Sequence, residues 1–131
     1  MACEKNKAEN EMDLLNAYLL ENNITIAPTA SGIYYIETLK GSGPDAKGGD
    51  IVEVKYKGTY IDGEEFDSGT FPFTLGVGQV IPGWDEGINY MNEGGKAILI
   101  IPSSMGYGSS DYHDIPGYST LIFEVELINI F

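Results

Sequence analysis

The residues of this chain best suited to chemistry are several aromatic side chains and one carboxylate. Asp67 directly follows Phe66, and Tyr107 stands between two glycines. The remaining aromatic candidates are Tyr56, Trp84, Phe123, and either Phe71 or Phe73. Together these groups would line a water-poor slot for an apolar group, with a carboxylate and phenol hydroxyls available for hydrogen bonds. Periodicity alone does not show that they converge, and Trp84 could instead be the core anchor of a small domain.

Nucleophilic and metal chemistry have weaker support in the sequence. The single histidine, His113, and the single cysteine, Cys3, are far apart, which does not favour a Ser or Cys nucleophile with a histidine base. Asp111 and Asp114 lie close to His113 in sequence and could hold a metal with it, but so short a spacing within a loop is poor evidence. We therefore expect no metal site and no cofactor.

Composition narrows the range of partners. The chain has 131 residues, which suggests one domain that is large enough to fold without a disulfide or a metal. Its formal net charge is −13, from 20 acidic and 7 basic residues. This charge argues against a nucleic-acid partner and against binding to a bare anionic membrane surface. No apolar stretch is long enough to span a bilayer.

The N-terminal residues suggest an anchor. Cys3 is followed by the polar stretch 4–10, as in a mature bacterial lipoprotein whose lipidated cysteine precedes a flexible tether. We therefore expect residues 1–10 to be a polar tether. The expected location is the cell envelope, in the periplasm or anchored to a membrane through Cys3. The alternative is a cytoplasmic protein in which Cys3 is incidental.

Residues 11–31 predict a short amphipathic helix and a connector, ahead of a main domain at 32–131. The apolar stripe of the helix consists of Leu14, Leu15, Tyr18 and Leu19. Because a helix this short is marginal alone, its stripe needs a partner. The domain itself is the expected partner, and a second copy of the chain is less favoured, so we expect a monomer.

The main domain carries strand patterns around one helix pattern. Val52, Val54 and Tyr56 alternate with charged residues, and residues 62–63 form a hairpin signal. A helix is predicted from about residue 83 to 92, and the stretch 96–102 is apolar on both faces, which is typical of a buried strand. The order indicates an α+β fold, with a curved antiparallel β-sheet of about five strands wrapped over one short central α-helix, plus the N-terminal helix.

The motifs resemble those of the FKBP-type peptidyl-prolyl cis-trans isomerases. They occur in that family's order and approximate spacing over residues 32–131. The matching segments are 54–58 (VKYKG), 62–68 (DGEEFDS), 80–87 (VIPGWDEG), 106–108 (GYG), 115–116 (IP) and 119–127 (STLIFEVEL). The helix and connector before residue 32 are similar to those of bacterial members with an N-terminal extension.

The resemblance implies a pocket between the concave face of the sheet and the central helix. Its catalytic residues would be Asp67, Tyr107, Tyr56 and Phe123. Its substrate-binding residues would be Phe66, Phe71, Val80, Ile81, Trp84 and Ile115. Trp84 would form the floor, and the backbone N–H of Ile81 would bind a substrate carbonyl.

The activity implied by the resemblance is rotation of X-Pro bonds in proline-containing polypeptides, without a covalent intermediate, as an aid to protein folding. Macrolide immunosuppressants are the implied inhibitors. The alternative is a peptide-binding or chaperone module with the same pocket and little turnover. Asp67 could also serve only as the hydrogen-bond partner of the Tyr56 hydroxyl.

Three features depart from the family pattern. The segment between Asp67 and Phe73 is several residues shorter than usual, Met105 stands where an aromatic residue or leucine is frequent, and the loop tip at 109–114 is unusually acidic. These differences concern substrate preference and catalytic efficiency more than the fold.

Overall fold

The structure is a computed structural model that describes residues 4–131. Its helices are α1 (Glu4–Glu21) and α2 (Pro82–Asn89), with one 3-10 turn at Ser103–Met105. Its strands are β1 (Tyr34–Leu39), β2 (Ile51–Tyr60), β3 (Glu65–Thr74), β4 (Lys96–Ile101) and β5 (Leu121–Ile130). Cys3 and the lipid anchor expected there lie outside the described residues.

The strands form one antiparallel sheet of five strands in the order β1-β4-β5-β2-β3. The alternating pattern predicted for β2 is present, since Val52 and Val54 are fully buried. Pro72 lies in β3, an edge strand, where its missing N–H removes no bond to a further strand. The predicted fold class, a sheet of about five antiparallel strands over a short helix, is confirmed.

Helix α2 lies between β3 and β4 in sequence and packs closely on the sheet. Pro82 occupies its first turn, where a missing N–H costs nothing, and the helix ends at Asn89 rather than at the predicted residue 92. A Cβ added at Gly83 would lie 2.6 Å from Ile101, and one added at Gly87 would lie 2.7 Å from Leu99. These two glycines therefore let the helix approach β4 closely enough to place Trp84 in the core.

Helix α1 covers the opposite face of the sheet. Leu15 packs with Ile100 of β4 and Ile122 of β5, and this second apolar cluster is separate from the main core. The domain is therefore the partner of α1, as predicted, and β4 is apolar on both faces because both are covered. Leu14, which was predicted to belong to the stripe, is instead 50% exposed.

The start of α1 differs from the sequence prediction. The helix begins at Glu4 rather than at residue 11, so part of the stretch expected to be a flexible tether is helical. The reason is that residues 4–9 include Glu, Lys and Ala, which favour helix. Among the helices described, none is both long and apolar enough to cross a membrane.

Candidate active site

An open cavity of about 200 Å³ lies between α2 and the concave face of the sheet. Its lining residues are Tyr56, Phe66, Asp67, Phe71, Gln79, Val80, Ile81, Trp84, Tyr107 and Phe123. Since one water takes up about 30 Å³ in the liquid, the cavity has room for a group the size of a five-membered ring. Such a concave, mostly aromatic site with a few polar groups is typical of a ligand pocket.

The aromatic walls contact one another edge to face. The ring centroid of Trp84 lies 5.0 Å from that of Tyr56 and 5.3 Å from that of Phe123, and both pairs are nearly perpendicular. Phe66 packs in the same way on Phe123, with centroids 5.6 Å apart. These distances lie within the favourable range for aromatic pairs, so the rings hold one another in place around the cavity.

Trp84 forms the base of the cavity. Its side chain is only 5% exposed, yet it lines the open space. Its Nε1–H is buried and has no hydrogen-bond acceptor within the described part of the chain. A buried donor without a partner costs stability, so this N–H is a group that a functional role of the cavity would explain.

The short stretch before α2 presents main-chain groups to the cavity. Asp85 accepts hydrogen bonds from the N–H groups of Gly76 (2.8 Å) and Gly78 (3.1 Å), which fixes the turn that leads to Val80 and Ile81. Within residues 4–131, no backbone carbonyl or side chain accepts a hydrogen bond from the N–H of Ile81. This N–H is therefore available to a ligand carbonyl.

The polar groups at the rim are Asp67 and two tyrosines. The Tyr56 hydroxyl donates a hydrogen bond to Asp67 Oδ2 at 2.8 Å. Burial raises the pKa of Tyr56 to about 12, with the hydrogen bond to Asp67 as the next cause. Tyr56 is consequently a neutral phenol throughout the physiological range, and its proton is committed to Asp67.

Tyr107 enters the site from the long loop between β4 and β5. Its ring stacks on Tyr112 with centroids 4.4 Å apart and planes 9° apart. Burial raises the pKa of Tyr107, and the neighbouring Tyr112 and Asp67 contribute. Its hydroxyl therefore remains a hydrogen-bond donor above the pH at which a free tyrosine ionises.

The pKa of Tyr56 should respond to Asp67. In Asp67→Ala we expect that pKa to fall below about 12 while staying above the ordinary value of 10.0, because burial remains after the hydrogen bond is lost. Folding raises the pKa of Tyr56. The neutral Tyr56 hydroxyl therefore contributes fully to the free energy of unfolding below pH 10, and this contribution declines as the pH approaches 12. Ring carbon chemical shifts followed against pH provide the measurement. An unchanged Tyr56 titration would contradict the pairing.

Nine of the ten site residues predicted from sequence line this cavity, and Ile115 does not. Ile115 is packed in the main core, because a two-way backbone bridge with Tyr112 turns it inward. Phe71 lines the cavity and stacks on the buried Phe73, so both aromatic candidates belong to this end of the molecule.

Gln79 also lines the cavity, although the sequence analysis did not predict it. Its Oε1 accepts a hydrogen bond from the N–H of Thr74 at 2.9 Å, a contact that no local pattern indicates.

Metal ligation has no geometric support in the part of the chain that is described. No group of three or more His, Cys, Asp or Glu side chains there could hold a metal ion. In the loop around His113, the carboxylate of Asp111 accepts a hydrogen bond from the N–H of Gly117 at 2.8 Å, which is a contact within the loop.

A curved sheet wrapped over a helix, with an aromatic cavity between them, defines a domain that receives a small apolar group. The family model described as FKBP-type peptidyl-prolyl cis-trans isomerase matches residues 43–128. The chain belongs to that family.

Individual relatives of this family are also similar to the chain. FkpA of Escherichia coli K12 is 38% identical over 133 residues, which cover 97% of this chain and 48% of that protein. The FK506-binding protein of Neisseria meningitidis serogroup C is 49% identical over 107 residues, which cover 76% of this chain and 98% of that protein. The chain spans about half the length of the FkpA relatives. Its similarity to these bacterial proteins indicates a bacterial origin.

Solved structures share the fold. The crystal structure of FkpA from Escherichia coli superposes with a TM-score of 0.84 at 37% identity, over 97% of this chain and 62% of that one. A peptidyl-prolyl cis-trans isomerase from Pseudomonas syringae superposes with a TM-score of 0.82 at 31% identity, over 99% of this chain and 97% of that one. The N-terminal helix is therefore within the span of both superpositions.

Proposed function

We propose that this chain catalyses cis–trans isomerisation of X-Pro peptide bonds in polypeptides, and so assists protein folding. The observation that carries the proposal is the convergence of Tyr56, Trp84 and Phe123 around an open cavity with Asp67 and Tyr107 at its rim. Rotation about an amide bond meets a barrier of about 18–20 kcal/mol, because twisting removes resonance. Without a catalyst the X-Pro bond takes roughly 10–100 s to isomerise at 25 °C.

The chemistry follows from the polarity of the imide. The planar form is charge-separated, with a negative oxygen and a positive nitrogen, and the twisted form is less so. A dry aromatic cavity solvates the planar form poorly, so twisting the imide costs less free energy in the cavity than in water. Lowering the barrier by about 5–7 kcal/mol would accelerate the reaction roughly 10⁴–10⁵-fold. No covalent bond between substrate and protein is formed.

Each group in the site has a task in this mechanism. The proline ring lies over Trp84 between the aromatic walls. The N–H of Ile81 and the hydroxyl of Tyr107 hold carbonyl oxygens of the substrate while the imide rotates. Asp67 acts through Tyr56, whose hydroxyl it fixes at 2.8 Å, and it is itself one of the residues that line the cavity.

A proline-isomerisation assay on a short Xaa-Pro peptide tests the proposal. We expect acceleration by the wild-type chain, and a loss of about 2–10-fold in kcat/KM for Tyr107→Phe, which removes one hydrogen bond of about 0.5–1.5 kcal/mol. Asp67→Ala should also reduce activity. Glu37→Ala, an exposed carboxylate on β1, is the matched control and should leave it unchanged.

The rival function is a binding module with the same pocket. FK506 is the probe that separates the two, because a protein 49% identical to this chain is named an FK506-binding protein. We expect FK506 to bind and to block isomerisation. Tight binding of FK506 by a wild-type chain that does not accelerate isomerisation would favour the module.

We also propose that the protein is a monomer of the bacterial cell envelope, attached through a lipid on Cys3, with a cytoplasmic location as the alternative. Residues 4–10, which directly follow Cys3, are polar apart from Ala8, and they would connect the lipid to the domain through the first turns of α1. Mass spectrometry of the protein purified from its own cells would detect the added lipid. An unmodified Cys3 thiol would remove the anchor from the proposal.

A further inference from the structure

One carboxylate of α1 is buried although its helix lies on the outside of the sheet. Glu11 is 8% exposed, and it is surrounded by Ser103 (7%) and Thr120 (4%). Its Oε2 accepts hydrogen bonds from the N–H of Ser103 at 2.8 Å and from the hydroxyl of Thr120 at 2.7 Å. Its Oε1 accepts one from the hydroxyl of Ser103 at 2.6 Å. A buried carboxylate is costly unless its oxygens are paired in this way.

The two partners of Glu11 bracket the loop that carries Tyr107. Ser103 follows β4 after one residue, and Thr120 directly precedes β5. The carbonyl of Ser103 in turn accepts the N–H of Gly106 at 3.0 Å and that of Gly108 at 2.8 Å. Tyr107 is thus held on both sides by Ser103, and Ser103 is held by Glu11.

We propose that Glu11 is a positioning residue, through which α1 fixes both ends of the loop 103–120 and so sets the place of Tyr107 over the pocket. This inference rests on the proposed isomerase function for its effect on turnover. Glu11 and its hydrogen-bond partners Ser103 and Thr120 are not among the residues that line the cavity, so its influence on the reaction is indirect. Without its carboxylate, three donors of the loop ends lose their acceptor and turn towards water, and Ser103 no longer holds the turn at residues 106–108 in one position.

The packing of α1 is a separate matter, because Leu15 docks the helix on β4 and β5. The hydrogen bonds of Glu11 therefore serve the loop more than the attachment of the helix. Glutamine at this position could keep the same three contacts, since its oxygen can accept from the N–H of Ser103 and the hydroxyl of Thr120, while its amide donates to the Ser103 hydroxyl. Alanine could keep none.

The test compares Glu11→Ala, Glu11→Gln and the control Asp13→Ala, which removes an exposed carboxylate from the same helix. In the full chain, below the unfolding transition of every variant, we expect Glu11→Ala to lower kcat/KM about tenfold, in line with the cost of a small misplacement. Glu11→Gln should stay within about threefold of wild type, and Asp13→Ala should be unchanged. Equal activity of Glu11→Ala and wild type would overturn the inference.

A second readout does not depend on activity. The ring resonances of Tyr107 should shift in Glu11→Ala and stay in place in Asp13→Ala, and they report the position of the ring even if the wild-type chain proved inactive. Unmoved Tyr107 resonances in Glu11→Ala would overturn the inference whatever the assay gave. Should Glu11→Ala fail to fold, Thr120→Val removes one donor at nearly constant volume. It should move the same resonances, and their constancy there would equally contradict the role.

Discussion

The Phe123→Ala variant is expected to lose about 3–5 kcal/mol of unfolding free energy, together with nearly all pocket function. Phe123 is 3% exposed, and its ring packs edge to face on Trp84 and Phe66 at centroid distances of 5.3 and 5.6 Å. Truncation therefore removes a core ring and a wall of the cavity at once. Urea unfolding followed by circular dichroism measures the first effect, and FK506 affinity measured by calorimetry follows the second.

Phe131→Ala is the matched control, because it removes the same ring from a side chain that is 72% exposed. Its unfolding free energy should change by no more than about 0.5 kcal/mol. Phe123→Leu, which keeps an apolar group of moderate size, should lie between the two. A loss of less than about 1 kcal/mol in Phe123→Ala would show that the ring does not fill the core as described.

The strands and their inward faces were predictable because alternation is a local property. Val54 and Val125 belong to apolar faces that the sequence shows directly, and both are buried. The meeting of Tyr56 with Phe123 is not local, because it depends on β2 and β5 being neighbours in the sheet. Period-two alternation contains no information about strand order. The family resemblance, and not the alternation, supplied the ten candidate site residues, nine of which line the cavity.

The parts that sequence reasoning missed are set by single long-range or loop contacts. Ile115 was expected in the pocket, yet its bridge to Tyr112 turns it into the core. Glu11 belongs to a residue type that is mostly exposed. Its burial depends on Ser103 and Thr120, which are 92 and 109 positions away in sequence. A hydrogen-bonded carboxylate and a solvated one look the same in a sequence pattern.

The covering of both faces of β4 connects the fold to the site. Ile101 and Leu99 receive α2 on one face, and Ile100 receives Leu15 of α1 on the other. Because β4 leads directly into the loop that carries Tyr107, both helices pack on the strand from which that loop begins. Helix α1 is therefore packed on the same strand as α2, on the opposite face of the sheet.

Gly58→Ala is expected to abolish most of the pocket function while the fold survives. Gly58 lies in β2 opposite Asp67 of β3 and Phe123 of β5. A Cβ at this position would lie 2.6 Å from Cζ of Phe66 and 2.8 Å from Cε1 of Phe123, so at least one ring must move. Phe66 is the freer of the two, and its displacement would distort the wall of the cavity.

We expect a fall of about 10–100-fold in kcat/KM for Gly58→Ala, because a shift of about 1 Å at a positioning group can cost that much. The loss of unfolding free energy should be about 1–3 kcal/mol, which is typical of overpacking. Gly69→Ala is the matched control, because the added Cβ would lie 3.7 Å from the Tyr56 hydroxyl, which is an ordinary contact. This variant should keep kcat/KM within about threefold of wild type. If Gly58→Ala kept full activity, the rings of Phe66 and Phe123 would not define the catalytic surface, because the added methyl group cannot be accommodated without moving one of them.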